Sequence, residues 1–100
     1  MITIIVDASR CKVSVNGHAG YDEPGKDIVC AAVSILVYTL AERLNETGNL
    51  IDAELSPGYA KIEAIGNAES ATTIETIAAG FALLAGEYPG FVNVQNEGLT

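Results

Sequence analysis

The stretch GHAGYDEPGKDIVCAAVSIL, residues 17–36, decides how the rest of the chain is read. It contains the only histidine, His18, and one of two cysteines, Cys30. Glycine and proline mark residues 17–26 as an irregular loop, and a long apolar run follows Asp27. Aspartate is a favoured N-cap residue, so a helix is predicted over residues 28–44. The stretch therefore predicts a loop that brings a base toward a thiol at the start of a helix.

Short β-branched or alternating segments surround this helix and predict strands. They cover residues 2–7, 11–17, 50–55, 59–65 and 91–96. Ser56-Pro57-Gly58 is a hairpin turn signal between the third and fourth strands. After a loop at 66–70, Thr72 and Glu75 have the spacing of a capping box and predict a second helix, which Gly80 and Gly86 weaken and Pro89-Gly90 ends. The predicted fold is α+β, in the order β-β-α-β-β-α-β, with a mostly antiparallel five-stranded sheet and two helices.

Composition narrows the class of protein. A chain of 100 residues with 49% apolar residues predicts one soluble domain, residues 1–100, with a core that needs no disulfide or metal. The net charge of −8 argues against nucleic-acid binding and suits a basic partner. Two cysteines are too few for a disulfide framework, which predicts free thiols in the cytoplasm. The apolar run at residues 28–41 is expected to be too short to cross a membrane, and no targeting segment is visible.

Two further patterns concern burial. The first helix carries Ile28, Ala32 and Ile35 outside its main apolar stripe, so it should be covered on more than one side, by the second helix or by a partner subunit. Cys11 alternates in register with Val13 and Val15, which predicts a buried thiol with a structural role.

The chemistry of the opening stretch depends on Cys30. A helix N-terminus favours a thiolate, and its free amides could stabilise an oxyanion. The carboxylate of Asp27 opposes the thiolate, and His18 is the only candidate for a cationic partner. Spacing alone leaves open whether these are a catalytic pair or a buried thiol and a turn histidine. It favours Asp27 as a plain cap and Ser34 as a hydroxyl bonded to the Cys30 carbonyl. Ligand spacing for a metal is lacking, and neither a metal nor a cofactor is expected.

At this point the sequence resembles a known family. GHA at residues 17–19 and DIVCAAVS at 27–34 stand with eleven residues between His18 and Cys30, the chain begins with ITI after Met1, and YPGFVNVQNEG lies near its end. These features are similar to the ribosomal-processing cysteine proteases. The resemblance implies a small homodimeric α/β endopeptidase that removes the N-terminal extension of large-subunit ribosomal protein twenty-seven beside an aromatic pair.

The resemblance also implies roles for residues. His18 corresponds to the base and Cys30 to the nucleophile, and the family's acidic and hydroxyl positions fall on Asp27 and Ser34. A mobile loop falls on residues 20–26, and the predicted substrate-binding positions are Gly17, Ala19, Gly20, Tyr21 and Gly25. Tyr21, Phe81 and Tyr88 are the aromatic residues available to a substrate, although helical spacing favours a core position for the latter two.

Other functions remain open from the sequence. The same loop could grip a peptide without cutting it, in a non-catalytic ribosome-associated binding module. A relative could process phage capsid proteins. A thiol-dependent acyl transferase would use the same nucleophile.

Overall fold

The computed structural model describes residues 1–23 and 25–97. Pro24 of the predicted loop and residues 98–100 of the predicted domain lie outside this part. The strands and helices are β1 (Ile2–Asp7), β2 (Lys12–Asn16), α1 (Ile28–Glu46), β3 (Leu50–Ser56), β4 (Tyr59–Ala64), α2 (Ala68–Glu87) and β5 (Val92–Glu97). The predicted α+β element order is confirmed.

The five strands form one sheet in the order β3-β4-β2-β1-β5. Neighbouring strands are antiparallel except at one edge, where β5 pairs in parallel with β1 from Ile2↔Val92 to Asp7↔Glu97. The sheet is thus mixed rather than purely antiparallel. A parallel pairing is possible there because α2 carries the chain across the sheet before β5 begins.

Both helices cover one face of the sheet. The strands alternate between buried and partly exposed side chains, with Ile2, Ile4 and Val6 of β1 buried. Phe81 of α2 and Leu40 of α1 are fully buried against them. Gly80 does not break α2, because it lets the two helices approach: a Cβ atom there would lie 3.0 Å from the methyl groups of Leu36.

The start of α2 differs from the predicted one. Asn67 is the N-cap, and its side-chain oxygen accepts a hydrogen bond from the Ser70 amide at 2.8 Å. Thr72 and Glu75 lie inside the helix, so the predicted capping box and the loop at 66–70 are wrong. The hydrogen bonds of Asn67 with Asn49 and Ser70 set the helix start before Thr72.

Cys11 is buried, as predicted, but not as a strand residue. It precedes β2 with a positive φ of 51°, and its side chain is 4% exposed. The carbonyl of Cys11 accepts a hydrogen bond from the Ala64 amide. Cys11 and Cys30 are both free thiols.

The first helix is less covered than its sequence suggested. Helix α2 packs against α1 on one side, yet Ile28, Ile35 and Tyr38 are more than half exposed. By length and composition the whole of α1 could also cross a membrane, so the expectation drawn from residues 28–41 stays a prediction. A core helix passes the same test, and the buried stripe from Val29 to Leu44 packs in the core.

A buried polar network joins the ends of both helices. The amide of Asn49, a residue 5% exposed, donates to Thr47 Oγ1 at 3.0 Å and to Glu69 Oε1 at 2.7 Å. Its side-chain oxygen accepts from Asn67 Nδ2 at 2.9 Å. The network therefore ties the C-terminus of α1 to the cap of α2.

Replacing Asn49 by alanine is expected to lower the free energy of unfolding by about 2 kcal/mol, because three side-chain hydrogen bonds are lost in a buried site. Urea unfolding measures this loss. The control is Ser70→Ala, since the Ser70 hydroxyl is buried and has no hydrogen-bond partner among the described residues. A loss as large in the control would contradict this account of the network.

Candidate active site

A cavity of about 610 Å³ opens between the loop at 17–26, the start of α1 and the turn from β3 to β4. Its lining includes seven of the predicted site residues: Gly17, His18, Gly20, Gly25, Asp27, Cys30 and Ser34. Ser34 lines it one helical turn beyond Cys30. The fold therefore brings the loop and the helix start together, as the sequence predicted.

The thiol of Cys30 is partly exposed to this cavity. Its sulfur accepts a hydrogen bond from the backbone N–H of Ala19 at 3.4 Å. Ala19 directly follows His18 and is itself 4% exposed. An N–H placed in this way can donate to the sulfur of a thiolate, which is the nucleophilic form of cysteine.

The imidazole of His18 lies over Gly58, in the turn from β3 to β4. A Cβ atom at Gly58 would lie only 2.5 Å from His18 Nε2 and 2.9 Å from Cε1. The amide of Gly17 donates to the Gly58 carbonyl at 2.8 Å, so the hairpin turn and the histidine loop are joined. Within the described residues His18 makes no hydrogen bond to Cys30. The two side chains line the same cavity but are not hydrogen-bonded to each other.

Asp27 holds the loop and the helix at once. Its Oδ1 accepts from the amides of Val29 at 3.0 Å and Cys30 at 2.9 Å, which is the predicted N-cap. Its Oδ2 accepts from the amides of Tyr21 at 3.0 Å and Asp22 at 3.4 Å. The carboxylate is thus a bridge as well as a cap, which spacing alone did not indicate.

These contacts lower the pKa of Asp27. Desolvation raises the pKa, but the N–H groups of Cys30, Tyr21 and Asp22 and the side chain of Cys30 donate to the carboxylate and outweigh it, so the pKa lies below the ordinary value of 3.8. Asp27 is therefore an anion at neutral pH, next to the thiol.

The cap also changes one expectation. The first-turn amides of Val29 and Cys30 were expected to be free for an oxyanion, but both donate to Asp27. The Ala31 amide donates to the Asp27 carbonyl at 3.1 Å. The helix start therefore offers none of these three donors to a substrate in this conformation.

Of the remaining predicted site residues, Ser34 lines the cavity with His18 and Cys30, and Tyr21 does not. Tyr21 lies outside the cavity lining and packs edge-on against Tyr88 and Phe91, with ring centroids 5.5 and 5.2 Å apart. It anchors the loop to the end of α2. Ser34 is exposed in the cavity and does not donate to the Cys30 carbonyl, so its interpretation as a back-bonded hydroxyl has no support. Phe81 is in the core, as helical spacing predicted.

Sequence reasoning missed the opposite wall of the cavity. That wall comes from the β3–β4 hairpin and α1, and consists of Tyr38, Leu55, Ser56, Pro57, Gly58 and Tyr59. Ser56-Pro57-Gly58 was recognised as a turn, but nothing in a local pattern places a turn 40 residues away in sequence against His18. Only the pairing of β2 with β4, which sets Asn16 opposite Tyr59, does so.

Comparison with protein families gives a match to the family described as cysteine protease Prp, over residues 1–93. The chain belongs to this family. It is therefore a cysteine protease, and Cys30 is the one thiol that the fold exposes to a cavity. The resemblance drawn from GHA and DIVCAAVS is confirmed at the level of the family.

Solved structures show the same fold. The chain is similar to the essential ribosomal processing protease Prp from S. aureus, in complex with a covalently linked product peptide, at 22% identity and a TM-score of 0.86 over 97% of this chain and 100% of that one. The same protease with a substrate peptide gives 21% identity and a TM-score of 0.80, with the same coverage. SMU.848 from Streptococcus mutans gives 30% identity and a TM-score of 0.70 over 95% of this chain and 90% of that one. A search of curated proteins finds no match.

Proposed function

We propose that this Prp-family chain is an endopeptidase that removes the N-terminal extension of large-subunit ribosomal protein twenty-seven, with Cys30 as nucleophile and His18 as base. The observation that carries the proposal is the contact between the Ala19 amide and the Cys30 sulfur at 3.4 Å, since Cys30 lines a cavity that His18 also lines. It sets a polarised thiol beside a base in a space large enough for a peptide.

Two further observations support the substrate. The S. aureus relatives are ribosomal processing proteases in complexes with peptides. The net charge of −8 also suits a basic ribosomal protein, since opposite charges speed the encounter of two partners. The reducing cytoplasm, where such a substrate is made, suits the two free thiols.

In the proposed reaction the His18 ring turns toward Cys30 while it stays over Gly58, because the two side chains are not hydrogen-bonded without a peptide. Apo protease sites commonly tighten in this way on substrate binding. The thiolate attacks the peptide carbonyl, and His18 protonates the leaving amine. His18 then takes a proton from the water that releases the product.

The test is cleavage of the extended ribosomal protein under reducing conditions, followed by mass spectrometry. Wild type should release the extension, Cys30→Ala should release none, and His18→Ala should be slowed by a factor of about 10³. Cys11→Ala is the matched control, because it removes the other thiol and should cleave like wild type. Binding without cleavage by wild type would support the peptide-binding module instead. Cleavage of a phage capsid protein, without cleavage of the ribosomal protein, would mean that the proposed substrate is wrong.

We also propose that the protein is a homodimer. Ile35 and Tyr38 on α1 are 63% and 56% exposed, and Leu55 of β3 lies beside them in one apolar groove of about 590 Å³. A second copy of the chain would cover this face, which α2 leaves open.

Light scattering after gel filtration tests this assembly. Ile35→Glu should convert the dimer to a monomer, since it places a charge in the apolar face. Leu83→Glu is the control, because Leu83 is 72% exposed on α2, away from that groove. A monomeric wild type, or equal dissociation by both variants, would rule out this interface.

A further inference from the structure

We infer that the backbone N–H of Ala19 is the oxyanion donor of the protease reaction. This inference rests on the proposed function and adds to it a catalytic group that is not a side chain. The amide already points at the reacting sulfur from 3.4 Å. In the tetrahedral intermediate the oxyanion is two bonds from that sulfur, so a small turn of the same N–H toward the oxygen suffices.

Several neighbouring amides are already bonded elsewhere. Asp27 Oδ1 occupies the amides of Val29 and Cys30, and Asp27 Oδ2 occupies those of Tyr21 and Asp22. The Gly17 amide is bonded to the Gly58 carbonyl. In the described part of the chain, Ala19 alone directs an amide at the Cys30 sulfur.

The Ala19 amide is also held in place before substrate arrives. Its side chain is 4% exposed and belongs to the hydrophobic core, unlike the exposed residues His18 and Gly20 on either side. A fixed donor stabilises developing charge without reorganisation during the reaction. Because His18 and Ala19 are consecutive, one segment positions both the base and the donor.

The donor acts at two steps of a balanced reaction. After Cys30 has given its proton to His18, its thiolate forms a C–S bond to the peptide carbonyl carbon. The carbonyl π electrons move to the oxygen, and this oxyanion accepts a hydrogen bond from the Ala19 N–H. When the carbonyl re-forms, the C–N bond breaks and the leaving amine takes the proton from His18. The thioester then passes through a second oxyanion as water, deprotonated by His18, displaces the thiolate.

A backbone ester at position 19 tests the donor, because it replaces the N–H by oxygen and keeps the alanine side chain. The full chain can be assembled by joining a synthetic 1–29 thioester to a 30–100 fragment, since Cys30 is itself a ligation site. The matched control is an ester at Ser9, in the turn between β1 and β2 and outside the cavity lining, whose amide makes no hydrogen bond among the described residues. The all-amide chain made in the same way is the reference.

The Ala19 ester should lower kcat by a factor of about 10² to 10³ with little change in KM, as removal of one oxyanion donor does. It should also slow alkylation of Cys30 by iodoacetamide at neutral pH by about three- to tenfold, because the thiolate loses a donor. The Ser9 ester should match the reference in both measurements.

The outcomes separate the two proposals. If the all-amide chain does not cleave the ribosomal protein, the proposed function fails, and alkylation still reports on the donor. If the all-amide chain cleaves and the Ala19 ester cleaves equally well, the oxyanion assignment is overturned. Equal alkylation rates for the Ala19 ester and the reference would likewise overturn the contact with sulfur.

Discussion

Replacing Gly58 by alanine is expected to lower kcat/KM for peptide cleavage by about a hundredfold while the protein stays folded. The new Cβ atom would meet the His18 imidazole at 2.5 to 3.2 Å, which is closer than side chains tolerate, so the ring must shift. A displacement of about 1 Å in a catalytic group can cost a hundredfold in rate. Steady-state kinetics on the extended ribosomal protein measure the loss.

Gly48→Ala is the matched control for this prediction. Gly48 has φ of +74° and Gly58 has +73°, so alanine suffers the same backbone strain at both positions. No atom lies within 4 Å of a Cβ at Gly48. Both variants should lose a similar few degrees of Tm, and only Gly58→Ala should lose activity. Equal kcat/KM in the two variants would show that the position of His18 over the turn is irrelevant to the reaction.

Replacing Asp27 by serine is the second change with a large expected effect. Serine can still cap the helix through its hydroxyl, but it is too short to reach the amides of Tyr21 and Asp22. The loop that carries His18 and Ala19 is then released from the helix start. We expect kcat/KM to fall by about a hundredfold, with Tm within about 2 °C of wild type.

Asp27→Ala separates the two contacts, because it loses the cap as well and should lower Tm by about 5 °C. Hydrogen exchange by mass spectrometry provides the structural readout. The amides of Tyr21 and Asp22 should exchange faster in both variants, and those of Val29 and Cys30 only in Asp27→Ala. Full activity in Asp27→Ser would mean that the loop does not need this bridge.

The lowered pKa of Asp27 predicts how the stability of the protein changes with pH. A carboxylate whose pKa is depressed in the folded state contributes its full stabilisation above its ordinary value of 3.8, and that contribution is lost as the pH falls through the lower folded value. The Tm of wild type should therefore fall more than that of Asp27→Ala between about pH 5 and about pH 2. An equal fall in Tm for wild type and Asp27→Ala would contradict a stabilising role for the hydrogen bonds of Asp27.

Local sequence patterns were enough to predict the strands, the helices and half of the candidate active site. Residues 2–7 and 28–44 showed clear strand and helix periodicity, and the structure places β1 at Ile2–Asp7 and α1 at Ile28–Glu46. His18 and Cys30 could be paired because they flank one loop. The start of α2 was missed because Asn67 and Thr72 are both good caps, and only the contact of Asn67 with Asn49 selects the first.

What the sequence could not show depends on distant contacts. The parallel edge of β5 with β1 joins the two ends of the chain, and Gly58 meets His18 only through strand pairing across the sheet. The hydrogen bonds to the second carboxylate oxygen of Asp27 could not be predicted either. A sequence pattern identifies an N-cap from the helix that follows it, and not from the loop that the same side chain binds. Its contacts turn a structural cap into part of the site.

The central claim is that Cys30 is the nucleophile of a peptide-cleaving site, and alkylation of a Cys11→Ala protein tests it most directly. Iodoacetamide is added in stages, and each sample is analysed for the carboxamidomethyl group on Cys30 and for remaining cleavage of the extended ribosomal protein. If Cys30 is the nucleophile, activity falls in proportion to the modified fraction and reaches zero when Cys30 is fully modified. Full cleavage by a protein whose Cys30 is completely alkylated would contradict it.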